Sequence, residues 1–400
     1  MDTLVTQKVK GLTGNDAGAE AMRQINPDVV AAYPITPQTE LMHAFAAYVA
    51  GGKVNTEFVT VESEHSAMSA TIGASVAGAR AMTATSSQGL ALMWEVVYIA
   101  ASLRLPIVMV VVNRALSAPI NIHCDHSDSM GCRDSGWIQL YAENAQEVYD
   151  NIIQAVRIAE HPEIRLPVMV CMDGFIISHS LENVKIIDDK AVKEFVGEYK
   201  PPWSLLDTSH PVTVGPLDLQ DYYFEHKRQQ AEAMLKVPSV VKQVGEEFGE
   251  KFGRSYSFFD TYKLDDAEVG VLALGSTAGT IRVVIDDLRK EGIKIGLLKL
   301  RMFRPFPVRE LADAVKHLRV LGVMDRCISF GAQGGPVFME VRSALCDLAE
   351  KPITRSYIYG LGGRDITKEE LQSLGRELNK LTKEEAQKEI VKYFGVRGDD

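Results

Sequence analysis

Residues Ile107–Val112 read IVMVVV, six apolar side chains in a row that stop abruptly at Asn113 and Arg114. A strand shows alternate side chains to its two faces, so a run with no polar face has to be covered on both. A parallel sheet sandwiched between helices provides that cover. Pro167–Met172 (PVMVCM) repeats the pattern. Between the two runs, Val148, Ile152, Ala155, Val156 and Ala159 lie at i, i+4, i+7, i+8 and i+11, one apolar stripe on a helix that can rest against such a sheet. Val29–Tyr33 and Arg80–Thr85 are further strand candidates, and Gln38–Ala50 reads as a helix stopped by Gly51 and Gly52. Residues 1–200 are therefore expected to form an α/β unit around a mainly parallel sheet.

Past Asp188 that rhythm is lost. Pro201-Pro202-Trp203, Gly215-Pro216 and the charge-rich stretch Asp221–Glu250 suggest a connector over 201–265 with one or two peripheral helices, since a structureless loop of that length does not suit a compact chain. A second α/β unit is expected over 266–365. Its strands are Val269–Leu274, Ile295–Leu300, Leu318–Met324 and Ile353–Tyr359, and the helix Thr280–Lys290 ends at Gly292. Residues 366–400 read as a charged helical tail.

Composition narrows the function classes. With 43 Lys and Arg against 53 Asp and Glu, the formal charge is −10, a poor footprint for nucleic-acid binding. Five cysteines without a CxxC pair argue against a disulfide framework or a cysteine-only iron–sulfur or zinc site, and for a reducing compartment. The amino-terminal stretch has no apolar core of signal-peptide length, and the apolar runs fall short of the roughly 18 residues a membrane span needs. A cytoplasmic protein without membrane contact is expected.

Four segments carry possible chemistry, each where a strand gives way to a helix or loop, the edge at which open α/β sheets bind ligands. In Tyr33–Thr39 (YPITPQT), Pro34 and Pro37 stiffen a turn that holds Thr36, whose hydroxyl either faces a ligand or caps the next helix. In Val61–Ser66 (VESEHS), Glu62 and Glu64 share a face only if the segment is extended. One of them carried inward could exchange a proton with a bound heterocycle; the alternative is a helix-terminal anion beside a surface acid. Thr83–Gly89 (TATSSQG) is a hydroxyl-rich turn that either offers N–H groups to an anion or carbonyl or simply caps a helix, and it lacks the lysine of a Walker loop. Finally, Arg114 directly after a buried strand calls for an anionic partner, either a substrate carboxylate or an internal acid such as Asp125. His123, Cys124, His126 and Cys132 lie nearby without the paired spacing of a zinc site, so no metal is expected in this chain.

Taken together, these segments resemble the alpha subunit of the 2-oxoacid:ferredoxin oxidoreductase family, in particular pyruvate:ferredoxin oxidoreductase, or pyruvate synthase. The resemblance runs from about Gly14 to Gly363. It rests on YPITPQT, VESEHSAMSA (Val61–Ala70), TATSSQGLALM (Thr83–Met93), NRALSAPINI (Asn113–Ile122), DHSDSM (Asp125–Met130), RDSGWIQ (Arg133–Gln139) and MDGFIISH (Met172–His179) in that order.

The resemblance implies a pyrimidine-binding domain of thiamine diphosphate enzymes followed by a transketolase C-terminal-like α/β domain. Glu64 matches the family glutamate that hydrogen-bonds the aminopyrimidine N1′ and promotes the tautomer that generates the ylid. Thr36 and Arg114 match the residues that receive the 2-oxoacid, with Arg114 facing its carboxylate. These three are the implied catalytic residues. Asn113 joins Thr36 and Arg114 at the substrate, and Ser86, Ser87 and Gln88 join Glu64 at the cofactor. The implied reaction is oxidative decarboxylation of pyruvate to acetyl-CoA and CO2 with electrons passed to ferredoxin, and its reversal. The same chemistry on 2-oxoglutarate or a branched-chain 2-oxoacid is an alternative, as is a non-catalytic scaffold subunit; Thr36 argues against the oxalate-specific relatives, which carry a charged residue there.

The chain has no GDG diphosphate motif, Asp173-Gly174 being preceded by Met172. The resemblance therefore implies thiamine diphosphate shared with a beta subunit, Mg2+ and [4Fe-4S] clusters in partner subunits, gamma and ferredoxin-like delta subunits, external ferredoxin, and CoA as co-substrate.

Overall fold

The computed structural model describes residues 5–398. Its strands are β1 (Gln7–Leu12), β2 (Val29–Ala32), β3 (Glu57–Thr60), β4 (Ala81–Thr85), β5 (Val108–Asn113), β6 (Ile138–Tyr141), β7 (Val168–Asp173) and β8 (Glu182–Ile187) in the first half. The second half adds β9 (Phe259–Tyr262), β10 (Val269–Leu274), β11 (Ile295–Leu300), β12 (Met302–Arg304), β13 (Val320–Asp325), β14 (Ile353–Tyr359) and β15 (Val391–Phe394). Two large sheets result, in the orders β12-β6-β7-β5-β4-β2-β3 and β15-β14-β13-β10-β11-β9, with β1 and β8 forming a small antiparallel ribbon. All neighbours in the large sheets are parallel except the edge strands β12 and β9.

The apolar runs became central strands. Every residue of β5, β7 and β10 is buried, because helices or the other sheet cover both faces. The helix Ala145–Glu160 lies on one face of the first sheet, its N terminus capped by Asn144, whose Oδ1 accepts from Glu147 N at 2.9 Å. The opposite face shares a core with the second sheet: Met109, Val111, Tyr141, Met169 and Cys171 lie in one cluster with Leu272, Leu298, Leu300 and Leu321 of that sheet and Phe338 of the helix Pro336–Leu345. The chain itself stitches the sheets together. It leaves the second sheet at Leu300 and by Met302 is paired with Leu140 at the edge of the first.

Two regions differ from the sequence-based expectation. Over 201–265 there is one long helix, Tyr223–Phe252, and it is not peripheral: Val237, Val241, Val244 and Phe248 are buried in the core of the first sheet. Charged residues on its outer face outnumber that stripe, so its composition reads as a surface helix. The tail is not purely helical either. After the helices Lys368–Lys380 and Lys383–Lys388, β15 adds to the second sheet parallel to β14, with Leu371, Leu374 and Leu378 packed beneath. No helix among the described residues is long and apolar enough to cross a membrane.

Candidate active site

The carboxyl ends of β2, β4 and β5 meet the start of the helix Glu64–Val76, and the four sequence segments converge there. The turn after β2 is fixed from within by Gln38, which is fully buried. Its Oε1 accepts from Ile35 N at 3.2 Å, and its Nε2 donates to Ala84 O at 3.1 Å. Asn15 Nδ2 donates to Pro37 O at 2.9 Å. Thr36 is left exposed at the crest. It does not cap the following helix, which starts at Thr39 with Gln38 at the N-cap.

Glu62 and Glu64 part company. Glu62 is exposed and accepts from Ser66 Oγ at 2.7 Å, whereas Glu64, the first residue of its helix, is only 7% exposed. Its carboxylate reaches towards Gly89. A Cβ at Gly89 would stand 2.7 Å from Glu64 Oε1 and 2.5 Å from Thr85 Oγ1, so the hydroxyl turn can approach the carboxylate only because position 89 has no side chain.

Around this point the protein leaves hydrogen-bonding capacity unused. Thr85 Oγ1, Ser86 Oγ, Gln88 Nε2 and Asn113 Oδ1 are buried with no partner among the described residues. Each such atom costs about 1–3 kcal/mol unless something else pairs with it. Three of the four belong to the turn whose Thr85 and Gly89 approach the Glu64 carboxylate, and the fourth, on Asn113, is tied to that turn through Asp128; together they offer unused donors and acceptors suited to a heterocycle that both donates and accepts. Ser87, by contrast, is turned inward: its N–H goes to Asp128 and its hydroxyl donates to Ala115 O at 2.6 Å.

Asp128 binds the segments to one another. Its carboxylate accepts from Ser87 N at 2.9 Å, Arg114 N at 3.0 Å, Asn113 Nδ2 at 2.8 Å and Ser129 N at 2.7 Å. Burial pushes its pKa up to about 6, and these donors restrain the rise. Arg114, 7% exposed, donates Nε to Asn121 O and Nη1 to Thr36 O, both at 3.0 Å. Its Nη2 has no partner among the described residues. Burial lowers the guanidinium pKa and Asp128 opposes that; an arginine starts high enough to keep its charge.

The histidines and cysteines that follow do not form one group. His123 is exposed, its ring 5.0 Å from that of Phe175, and Cys132 lies in the core. Cys124 and His126 do meet Asp173 in a buried trio. Asp173 already accepts from His126 Nε2 at 2.8 Å and from Ser276 N and Oγ at 3.0 and 2.5 Å, with Arg326 at 3.8 Å. Burial would raise its pKa, but Arg326 and His126 hold it well below the usual carboxylate range. Arg326 supplies the positive charge a metal would bring, and the trio serves as a seam joining the ends of β7, β10 and β13.

Sequence reasoning named Asp128 without a role, carried Gln38, Gly89 and Asn121 only as members of the quoted segments, and did not reach Asn15. Only Gly89 carried a signal, as the one residue of the hydroxyl turn without a side chain.

Residues 20–246 match the family described as "Pyruvate flavodoxin/ferredoxin oxidoreductase, thiamine diP-bdg", and residues 267–371 match "Pyruvate:ferredoxin oxidoreductase core domain II". The chain is 61% identical to pyruvate synthase subunit PorA of Thermotoga maritima, the alignment covering 90% of this chain and 92% of the relative. It is 48% identical to the PorA of Methanocaldococcus jannaschii, over 93% and 95% of the two chains. Ketoisovalerate oxidoreductase subunit VorA of Pyrococcus horikoshii is 44% identical over 96% and 97%. Among solved structures, a 2-oxoglutarate:ferredoxin oxidoreductase from Magnetococcus marinus, with 2-oxoglutarate, coenzyme A and succinyl-CoA bound, superposes with a TM-score of 0.74 at 21% identity, over 93% of this chain and 65% of that longer one. A split-gene transketolase superposes at 0.54 and 13% identity, over 93% and 99%. Those two likenesses concern the fold.

Proposed function

Because the chain belongs to the pyruvate:ferredoxin oxidoreductase family, we propose that it is the alpha-type subunit of a pyruvate synthase, carrying the pyrimidine side of a thiamine diphosphate site and the 2-oxoacid carboxylate site. The complex oxidatively decarboxylates pyruvate to acetyl-CoA and CO2 and runs the reaction in reverse. The observation that carries the reading is the buried Glu64 against a turn in which Thr85, Ser86 and Gln88, with Asn113 tied to it through Asp128, hold buried polar atoms that have no partner among the described residues, Asn113 being followed directly by an arginine whose Nη2 is likewise unpaired there. A scaffold subunit would have no reason to keep those atoms unpaired. The 61% identity to the pyruvate synthase subunit of Thermotoga maritima, against 44% to the ketoisovalerate subunit of Pyrococcus horikoshii, supports pyruvate over branched substrates.

Bound thiamine diphosphate supplies a carbon nucleophile for the 2-oxoacid carbonyl and a sink for the electron pair released with CO2. Glu64 would face the aminopyrimidine N1′ and hold or pass its proton, in a setting poor in water where a carboxyl is a stronger partner than in bulk. Thr85, Ser86, Gln88 and Asn113 would pair with the remaining polar atoms of the ring and substrate. Arg114 would present its outer N–H groups to the 2-oxoacid carboxylate, with the Thr36 hydroxyl beside it at the rim. Asp128 keeps the arginine and the hydroxyl turn in mutual register. This chain lacks a diphosphate motif and iron–sulfur cysteines, so a beta subunit would hold the diphosphate, Mg2+ and a cluster, and gamma and delta subunits the route to ferredoxin. A cytoplasmic complex fits that chemistry.

The reading is tested by purifying the native complex, quantifying its thiamine and iron, and assaying a panel of 2-oxoacids for CoA-dependent ferredoxin reduction. A complex free of thiamine, or one inactive with every 2-oxoacid while active with an unrelated substrate, would refute it.

A further inference from the structure

The loop from Arg114 to His126 departs from the first sheet, but much of what holds it comes from the second. Cys124 O accepts from Gly363 N at 2.6 Å, and Asp125 Oδ2 accepts from Gly362 N at 3.3 Å. His126 N donates to Arg326 O at 2.8 Å, and Asn121 Nδ2 donates to Gly362 O at 3.0 Å. The turn Gly360–Gly363 is built for this approach. Gly360, Gly362 and Gly363 have φ of 64°, 59° and 77°. A Cβ at Gly362 would stand 2.4 Å from Asn121 Nδ2, and one at Gly363 would stand 2.3 Å from His123 Cβ. The backbone conformation and the available space both exclude an ordinary side chain there.

Asn121 is the point where this clamp meets the arginine. Its side chain joins Gly362, its Oδ1 accepts from His123 N at 2.7 Å, and its main-chain carbonyl accepts from Arg114 Nε at 3.0 Å. The guanidinium is thus pinned at two corners, one by the Thr36 carbonyl in the first sheet's own turn and one by a residue that the second sheet's glycine turn holds in place. Two fixed points in a planar fork set the plane of the third, and the third corner is the free one.

We propose that Asn121 is a positioning residue, through which the glycine turn of the second domain aims Arg114 at the 2-oxoacid carboxylate. The inference rests on the reading of Arg114 as the carboxylate ligand and adds to it a second-domain determinant of substrate binding. Asn121 touches no reacting atom; its effect passes entirely through Arg114.

A double-mutant cycle on the assembled complex tests this, with N121A, R114A and the pair, and with G362A acting from the other side of the contact. N121A is expected to raise the pyruvate KM by about 5- to 10-fold with kcat little changed, the pattern of lost ground-state binding rather than lost active enzyme. G362A should give the same split. In the R114A background N121A should add nothing, since the residue it steers is gone. Independent losses that multiply in the double variant, or equal falls in kcat and kcat/KM for both N121A and G362A, would overturn the proposal while leaving the role of Arg114 standing. A pyruvate KM unchanged in R114A alone would overturn the reading of Arg114 and the proposal with it.

Discussion

The guanidinium of Arg114 donates Nη1 to the backbone carbonyl of Thr36 at 3.0 Å, so the end of β5 and the turn after β2 are fixed relative to each other by the same group proposed to bind substrate. A charge-assisted contact of about 2 kcal/mol corresponds to roughly 30-fold in affinity. R114A is therefore expected to raise the pyruvate KM about 30-fold. R114K restores the charge but not the fork that spans Thr36 O and Asn121 O, and should recover only part of that loss. Steady-state kinetics with intact complexes decide the matter. A lysine variant indistinguishable from the wild type would mean that planarity is irrelevant there.

Glu64 gives a cleaner test, because glutamine preserves shape and removes the exchangeable carboxyl. E64Q should leave the complex assembled and lower turnover by roughly 10²-fold or more, the usual scale for a positioned proton-transfer group. Since the side chain is buried at a helix start, co-elution of subunits checks the fold while turnover checks the role. Wild-type turnover in E64Q would remove the residue from the chemistry.

Gly89 should be nearly as sensitive although it has nothing to react with. In G89A the new methyl would lie within 2.7 Å of Glu64 Oε1 and 2.5 Å of Thr85 Oγ1, so the carboxylate has to swing out of its place. Displacing a catalytic group by about 1 Å can cost on the order of 10²-fold in rate. We expect G89A to lose turnover and bind thiamine diphosphate more weakly, read by cofactor retention after gel filtration, with unchanged subunit composition. Full activity would show that the hydroxyl turn can retreat without consequence.

The sequence-legible part of this molecule is the part governed by local patterning. IVMVVV and PVMVCM had to become central strands, and they did. The convergence of Thr36, Glu64, the hydroxyl turn and Arg114 was also foreshadowed, since each sits where a strand ends. What could not be read was anything depending on distant pairing. Asp128 receives donors from three segments separated in sequence by up to about 40 residues, and no spacing rule encodes that. The helix Tyr223–Phe252 looked peripheral because its buried stripe of Val237, Val241, Val244 and Phe248 is narrow among charges; the core it fills is formed by residues far earlier in the chain, such as Phe195, whose ring packs edge-on against Phe248. Strand β15, with Lys392 and Tyr393 in its four residues, is recognisable only once β14 offers an open edge.

Asp325, at the end of β13, provides a pH test of how the second sheet is held. Its carboxylate accepts from Val337 N at 2.8 Å and Phe338 N at 3.1 Å, capping the helix Pro336–Leu345. Burial raises its pKa from 3.8 to about 7, more than those two N–H groups can offset. An acid whose pKa is higher folded than unfolded binds its proton more tightly in the native state. Its contribution to stability is therefore complete below about pH 4 and is lost as pH rises through about 7. Asparagine at this position cannot ionise, so it lacks that dependence, although it turns one acceptor into a donor facing a backbone N–H. D325N should consequently be more destabilising at pH 5 than at pH 8, with the difference on the order of 2 kcal/mol. Urea unfolding of wild type and variant at the two pH values measures it. A penalty independent of pH would mean that Asp325 ionises as an ordinary carboxylate and that the helix N–H groups outweigh its burial.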